Sequence, residues 1–166
     1  EQTKRYVNIG PNAKQRIEEA VVWAKEKTSR DEHLWVFGAG THVDYRFGLT
    51  LAQLSEVFLR TLLPSTVKVV SNHSDKHFYG TYEEVKWSVK AVSKRHHPGE
   101  IVFVFFGPWW HLLRARLIWL LFFRREWGKA RFEVTTDGAK PNWWHELRGY
   151  GKIVGHRLFP QWIKTR

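Results

Sequence analysis

The chain has 166 residues, which is enough for one domain with a core but not for two independent ones. It has the 43% hydrophobic and 16% aromatic content of a globular protein, and its lack of cysteine excludes disulfides, thiolate metal sites and a cysteine nucleophile. Its 27 Lys and Arg against 16 Asp and Glu (net charge +11) favour polyanionic partners such as nucleic acid, anionic lipid or phosphorylated substrates, with a merely solvated basic surface as the alternative.

Helical and strand patterns alternate along the first half of the chain. Asn12 and Thr81 precede amphipathic stretches as candidate N-caps, and Glu84 follows Thr81 at the spacing of a capping box. The predicted elements are a strand at Arg5–Ile9, a helix over Ala13–Thr28, a strand at Leu34–Phe37, a helix from Thr50 or Leu51 to Leu63, a strand at Val67–Val70 and a helix from Thr81 to about Lys94.

The same alternation continues in the second half. Ile101–Phe106 is the strongest strand pattern, because it is continuous and built of β-branched and aromatic residues. A helix over about Trp110–Phe123, a strand at Arg131–Thr135 and a helix over Trp143–Phe159 follow. This order predicts βαβ units, and we expect a single α/β domain over residues 1–166, a three-layer α/β/α Rossmann-like stack around a mostly parallel sheet.

The most apolar run, Ile101–Phe123, is not predicted to cross a membrane. Gly107, Pro108 and two arginines, Arg114 and Arg116, interrupt it, and interior arginines are costly in a bilayer. We therefore expect a chain without a transmembrane segment, soluble as a globular protein.

Ligands of open α/β sheets bind beyond the carboxyl ends of the strands, so the loops there are the candidate groove. The first is the turn Gly38-Ala39-Gly40, where two glycines let the backbone approach a ligand. The second is the helix start at Thr81, where the Thr81 hydroxyl or Glu83 would make polar contacts, with plain helix capping as the alternative.

The third loop follows the strongest strand and carries His111 and Arg114. Their i, i+3 spacing places them on one helix face, where an imidazole moves a proton and a guanidinium binds a carboxylate or phosphate. The alternative is structural, with Arg114 paired to a carboxylate of the fold. The candidate site residues are therefore His111 and Glu83 for catalysis and Gly38, Gly40, Thr81 and Arg114 for ligand binding, with no metal site.

These segments, in this order, resemble the DUF218 family of bacterial envelope-associated proteins, the SanA/YdcF/ElyC-like group. The matching segments are Phe37-Gly38-Ala39-Gly40, Gly80-Thr81-Tyr82-Glu83-Glu84, Trp110-His111-Leu112-Leu113-Arg114-Ala115 and the closing Trp144-His145-Glu146-Leu147-Arg148-Gly149-Tyr150. The resemblance covers about Tyr6–Leu158. It implies a Rossmann-like fold, a role in envelope or polysaccharide metabolism and nucleotide-like or S-adenosylmethionine-like ligands, but no defined reaction.

The chain departs from the family pattern at three groove positions. Gly80, Gly107 and Pro108 stand where the family typically has polar side chains. These replacements remove hydroxyl and amide groups from the groove and leave open whether it binds the family's ligands or catalyses a reaction.

Three functions therefore follow from the sequence. The first is a DUF218-like groove protein that binds an anionic small molecule, either an envelope precursor or a nucleotide-like ligand. The alternative is a structural subunit of a larger assembly such as a ribonucleoprotein, which contacts RNA or protein subunits through a basic surface with ten tryptophans. The third is a protein of anionic membrane surfaces that uses the basic aromatic helix around Trp119–Trp127. Envelope association and an organellar or other large complex both fit as locations.

Overall fold

The computed structural model describes residues 9–27, 33–37, 43–44, 49–72 and 80–158. The chain divides into two compact units, Glu1–Phe78 and Tyr79–Arg166. The predicted single domain over all 166 residues stays a prediction. The predicted strand at Arg5–Ile9 lies, apart from Ile9, outside the described residues.

The described part of the first unit contains two helices, a parallel strand pair and a short antiparallel pair. Its elements are α1 (Pro11–Lys27), β1 (Leu34–Phe37), β2 (Val43–Asp44), β3 (Leu49–Thr50), α2 (Leu51–Leu62) and β4 (Lys68–Ser71). β1 pairs with β4 in parallel, with Leu34 opposite Lys68 and Phe37 opposite Ser71, and β2 pairs with β3 in antiparallel. The buried core of this unit holds Ile9, Ile17, Val21, Leu54 and Leu59.

The start of α2 shows how local chemistry sets an element boundary. The Thr50 hydroxyl accepts a hydrogen bond from the Gln53 backbone N–H, and the Gln53 side chain accepts one from the Thr50 N–H. This capping box satisfies two amides that no helical carbonyl reaches. The Thr50 hydroxyl also donates to the carbonyl of Asn72, so it ties the start of α2 to the end of β4.

The second unit contains a parallel strand pair and the helices that pack with it. Its elements are α3 (Thr81–Ser93), β5 (Val104–Gly107), α4 (Trp109–Ile118), a π-helical turn (Trp119–Phe123), α5 (Arg124–Trp127), β6 (Arg131–Val134) and α6 (Trp143–Leu158). β5 and β6 pair in parallel, with Val104 opposite Arg131 and Gly107 opposite Val134. The observed structure is thus mixed α/β and rich in helix, with two parallel strand pairs.

Aromatic rings fill the core of the second unit. Phe103 and Phe105 lie 4.9 and 5.5 Å, centroid to centroid, from Trp119, and Phe105 stacks at 5.2 Å on Phe132. Trp119 is buried and its indole N–H donates to the carbonyl of Gly128, which satisfies the only polar group of that side chain. Trp127 is buried as well. The prediction that the basic aromatic helix around Trp119–Trp127 contacts a membrane surface is therefore wrong for its two tryptophans, because both rings lie in the core.

Two local predictions are also wrong, and a third holds only in part. Asn12 does not cap α1, which begins at Pro11, a residue suited to a first turn because its missing N–H has no partner there. The strand predicted at Ile101–Phe106 begins only at Val104, since its partner β6 has four residues. The helix predicted over Trp110–Phe123 changes to π-helical geometry at Trp119. Among the described residues, no helix combines the length and the apolar character that a bilayer crossing needs.

Candidate functional site

His111 and Arg114 lie in the first turns of α4, at the carboxyl end of β5. Pro108, with φ −63°, is the N-cap residue that turns the chain from β5 into the helix. Gly107 before it lies against His111, since a Cβ there would be 3.6 Å from the imidazole ring. The sharp strand-to-helix turn therefore places both candidate residues at the strand end, as the spacing predicts.

Arg114 joins three helices of the second unit. Its Nε–H donates to the Thr81 hydroxyl of α3 at 2.9 Å, and its Nη1 lies 3.1 Å from Oε2 of Glu146 in α6. Its Nη2 lies 3.2 Å from Nδ1 of His111 on its own helix. The side chains of Arg114 and Glu146 are only 12% and 6% exposed, so this ion pair lies largely out of water.

The guanidinium is held from three sides. Arginine has five N–H groups and no acceptor, so Nδ1 of His111 is the acceptor in their contact and the neutral imidazole carries its proton on Nε2. Arg114 therefore donates to Thr81 and to His111, and its Nη1 lies in the ion pair with Oε2 of Glu146. The exposed 12% of the side chain is the part that remains open to a further acceptor.

Gly149 is what lets α6 approach this arginine. A Cβ atom on Gly149 would lie 2.5 Å from Arg114 Nη1 and 2.8 Å from Cδ, closer than any stable contact. Glu146 and Gly149 are three residues apart, so they share the helix face turned to Arg114. Sequence reasoning assigned no role to either residue, although the segment that contains them was part of the DUF218 resemblance and was the available signal.

Thr81 does not cap α3, while its predicted role in ligand binding stays a prediction. It is the first residue of α3, Gly80 is the N-cap residue, and no side chain caps this end of the helix. The capping box of Thr81 with Glu84 is therefore wrong, because the Thr81 hydroxyl is buried and accepts from Arg114 instead. The site gains a hydrogen-bond acceptor that fixes the guanidinium.

Glu83, the second predicted catalytic residue, is held by another partner. Its Oε1 lies 3.3 Å from Nε2 of His156 near the end of α6, and the His156 ring lies 4.3 Å from the Tyr82 ring. Glu83 therefore belongs to a second contact between α3 and α6, in which its partner is His156 and not Arg114.

Two tyrosines near the site have perturbed acidities. Burial, and secondarily the negative charge of Glu83, raises the pKa of Tyr82 above its usual value of 10.0. Burial raises the pKa of Tyr150 too; Glu146 adds to the rise and Arg114 opposes it. Both hydroxyls therefore stay protonated at neutral pH.

The loop after β6 adds a buried carboxylate that the sequence reasoning missed. Asp137 accepts hydrogen bonds from the Thr135 hydroxyl and the Ala139 backbone N–H, both at 3.1 Å. The Ala139 carbonyl in turn accepts from the indole N–H of Trp110 at 3.3 Å. Asp137 thus shapes the loop that borders the start of α4. Its signal in the sequence is the Thr-Thr-Asp-Gly run after a strand, typical of a turn.

Two candidates, Gly38 and Gly40, cannot be placed. Gly38 and Gly40 lie outside the described residues, so their predicted role as ligand-binding glycines stays a prediction. In the described ranges no cluster of three His, Asp or Glu side chains is arranged to hold a metal ion.

Comparison with known proteins leaves the chain without an assigned family. No family model matches it, and neither the curated proteins nor the solved structures gave a match. The function therefore has to be argued from the residues around Arg114.

Proposed function

We propose that this chain binds a small anionic molecule, carrying a phosphate or carboxylate group, at the carboxyl end of β5, with Arg114 as the anion-binding cation. The observation that carries the proposal is the guanidinium itself: Thr81, His111 and Glu146 hold this cation in place at a strand end, and 12% of its side chain remains exposed. A planar guanidinium with paired N–H groups fits the oxygens of such a ligand.

The helix ends support the same assignment. α4 begins at the carboxyl end of β5, and the Thr81 contact brings the first residue of α3 to Arg114. Since helix N-termini present unpaired amides and a positive dipole end, both starts add favourable potential for an anion. The carboxylate of Glu83 works against this potential at α3, and its contact with His156 reduces that opposition.

The arrangement also has a structural interpretation, in which Arg114 only links three helices. The structural and the binding interpretations differ in whether a ligand is needed. A structural arginine needs its fixed partners alone, whereas a binding arginine keeps donors for an incoming acceptor. The exposed 12% of the Arg114 side chain leaves an edge that a small anion can reach.

We further propose the DUF218-like, three-layer Rossmann-like arrangement, and with it an envelope precursor or nucleotide-like compound as the ligand. Support comes from the alternation of helices with two parallel strand pairs and from the convergence of Thr81, His111 and Arg114, three of the resembling positions. His111, whose Nδ1 faces Arg114, would offer its Nε2 proton to the bound group.

Isothermal titration with inorganic phosphate, a nucleoside monophosphate and a nucleoside diphosphate-sugar tests the proposal. We expect saturable binding of at least one of them, weakened about tenfold or more by Arg114→Lys, because lysine keeps the charge but loses the planar fork. Arg116→Lys is the matched control, an exposed arginine two residues further along α4, and should bind as the unchanged chain does. Absence of binding to all three probes, or binding that Arg114→Lys leaves intact, would refute the assignment.

A further inference from the structure

A second surface of the same unit lies on the outer side of α6. Five large apolar residues of this helix are between 54% and 71% exposed, namely Trp143, Trp144, Leu147, Val154 and Leu158. At about 100° per residue they fall, together with exposed Gly151, within roughly 100° of arc around the helix axis. α6 therefore carries a continuous apolar stripe that faces solvent, in addition to its buried residues Glu146 and Ile153.

The start of α4 extends this stripe. The Trp109 ring lies 6.2 Å, centroid to centroid, from the Trp143 ring, and Trp109 and Leu113 are both about half exposed. Seven large apolar side chains on two neighbouring helices thus form one surface, here called the α6 patch. A patch of this kind on a globular protein marks a binding surface, whereas scattered single apolar residues do not.

The charges around the patch have one sign. The exposed ionic side chains of α6, a helix that is described throughout, are Arg148, Lys152 and Arg157, and its one carboxylate, Glu146, is buried against Arg114. Arg148 and Lys152 lie beside one edge of the apolar stripe and Arg157 beside the other. Any partner of this surface must therefore be apolar and negatively charged at once.

We propose that the α6 patch binds the surface of an anionic lipid bilayer, with α6 lying in the plane of the interface. A helix with an apolar stripe, tryptophans within it and a basic polar face is the form that inserts about 5–10 Å into the boundary between headgroups and acyl chains. Basic residues at the edge of the stripe are attracted to anionic headgroups, and tryptophan is favoured at that boundary because its ring is apolar and its N–H polar.

RNA fits the same surface less well. Its bases stack on aromatic rings and its phosphates attract arginine, so Trp143, Trp144 and Arg148 alone suit it. The aliphatic side chains of Leu147, Val154 and Leu158 form most of the length of the stripe, and they gain from hydrocarbon but not from a stacked base. The patch is also separate from the proposed anion site, because Arg114 contacts the opposite, buried side of α6.

Vesicle sedimentation with the 166-residue chain tests the proposal. We expect binding to phosphatidylcholine vesicles that contain phosphatidylglycerol, weakened by salt, and little binding to vesicles of phosphatidylcholine alone. The variant Leu147→Gln/Val154→Thr/Leu158→Gln should bind about tenfold or more weakly, since it removes most of the inserted aliphatic surface. Arg148→Gln and Lys152→Gln should each weaken binding about fivefold.

The control variant carries equivalent changes elsewhere in the same unit. Val102→Thr/Leu120→Gln alters two exposed apolar residues outside the patch and should leave vesicle binding unchanged. Circular dichroism and thermal unfolding establish that each variant is folded. Independently of the triple aliphatic variant, brominated lipid should quench the tryptophan fluorescence of the unchanged chain, and Trp109→Phe/Trp143→Phe/Trp144→Phe should remove most of that quenching.

Three results would overturn the proposal. The first is equal binding of the folded triple variant and the unchanged chain to anionic vesicles. The second is absence of vesicle binding together with salt-dependent binding of single-stranded RNA, which would assign the surface to a ribonucleoprotein. The third is brominated-lipid quenching that survives loss of Trp109, Trp143 and Trp144 together.

Discussion

Gly149 of α6 lies against the guanidinium of Arg114 so closely that the smallest side chain, a methyl group, would come within 2.5 Å of Nη1. The arginine cannot simply move aside, because Thr81, Glu146 and His111 each contact one of its nitrogens. The two helices can therefore pack at this point only with glycine at position 149.

Gly149→Ala should consequently destabilise the protein by about 1–3 kcal/mol, the usual cost of overpacking, although alanine is the better helix former. Gly151→Ala, two residues further along the same helix, meets no atom within 4 Å. It should stabilise the protein by about 0.5–1 kcal/mol. Urea unfolding of both variants measures the difference. Equal effects of the two substitutions on the free energy of unfolding would show that the Arg114 side chain moves aside without cost.

Breaking the Arg114–Glu146 pair should be costly from either side. Arg114→Ala leaves a carboxylate that is 6% exposed without its cation, and we expect a loss of about 3–5 kcal/mol. Glu146→Gln keeps the volume and removes one charge, and should cost less. Lys14→Ala breaks an exposed pair with Glu18 and serves as the control, with an expected change of about 0–1 kcal/mol. A double-mutant cycle without coupling between positions 114 and 146 would contradict the ion pair.

The Thr81 hydroxyl should matter as an acceptor. Thr81→Val keeps the shape but leaves the Arg114 Nε–H without its partner, so a loss of about 1–2 kcal/mol in the free energy of unfolding is expected. Thr81→Ser retains the oxygen and should lose less. Thr61→Val, at an exposed hydroxyl of α2, should change stability by under about 0.5 kcal/mol. If valine and serine at position 81 behaved alike, the hydrogen bond would have no measurable role.

The raised pKa values of Tyr82 and Tyr150 predict a loss of stability at alkaline pH. Both hydroxyls are harder to ionise when folded than in the unfolded chain, where the pKa is near 10.0. Below that value both states are protonated and the stabilisation is complete; as pH rises above it, the unfolded chain releases its protons first and stability falls until the folded pKa is passed. Unfolding measured from neutral pH to above pH 10 should show this decline, and it should be shallower in Tyr82→Phe and Tyr150→Phe. If stability declined as steeply in both variants as in the unchanged chain, groups other than these tyrosines would cause the alkaline loss of stability.

Most helices and strands followed from the sequence because their signals are local. β1 at Leu34–Phe37 was predicted at its observed bounds, and α2, α3 and α6 within about two residues, since apolar periodicity and helix-breaking residues act over a few positions. The start of β5 was missed because hydrogen bonding to β6, and not the apolar run, decides how much of Ile101–Phe106 is strand.

The exposed face of α6 was not predictable for a related reason. Apolar residues lie on two sides of this helix, Ile153 on one and Leu147, Val154 and Leu158 on the other. Periodicity alone does not say which side packs against α4. The contact of Arg114 with Glu146 and Gly149 decides it, and the larger apolar stripe is left facing solvent.

By itself, the sequence determined that His111 and Arg114 share one face of a helix that starts at a strand end, because three residues make nearly one helical turn. Only the tertiary structure decided what Arg114 does there. Thr81, 33 residues earlier, and Glu146, on α6, reach the guanidinium through the packing of α3 and α6 against α4. Pairings over such distances depend on how whole helices pack, which no local pattern encodes.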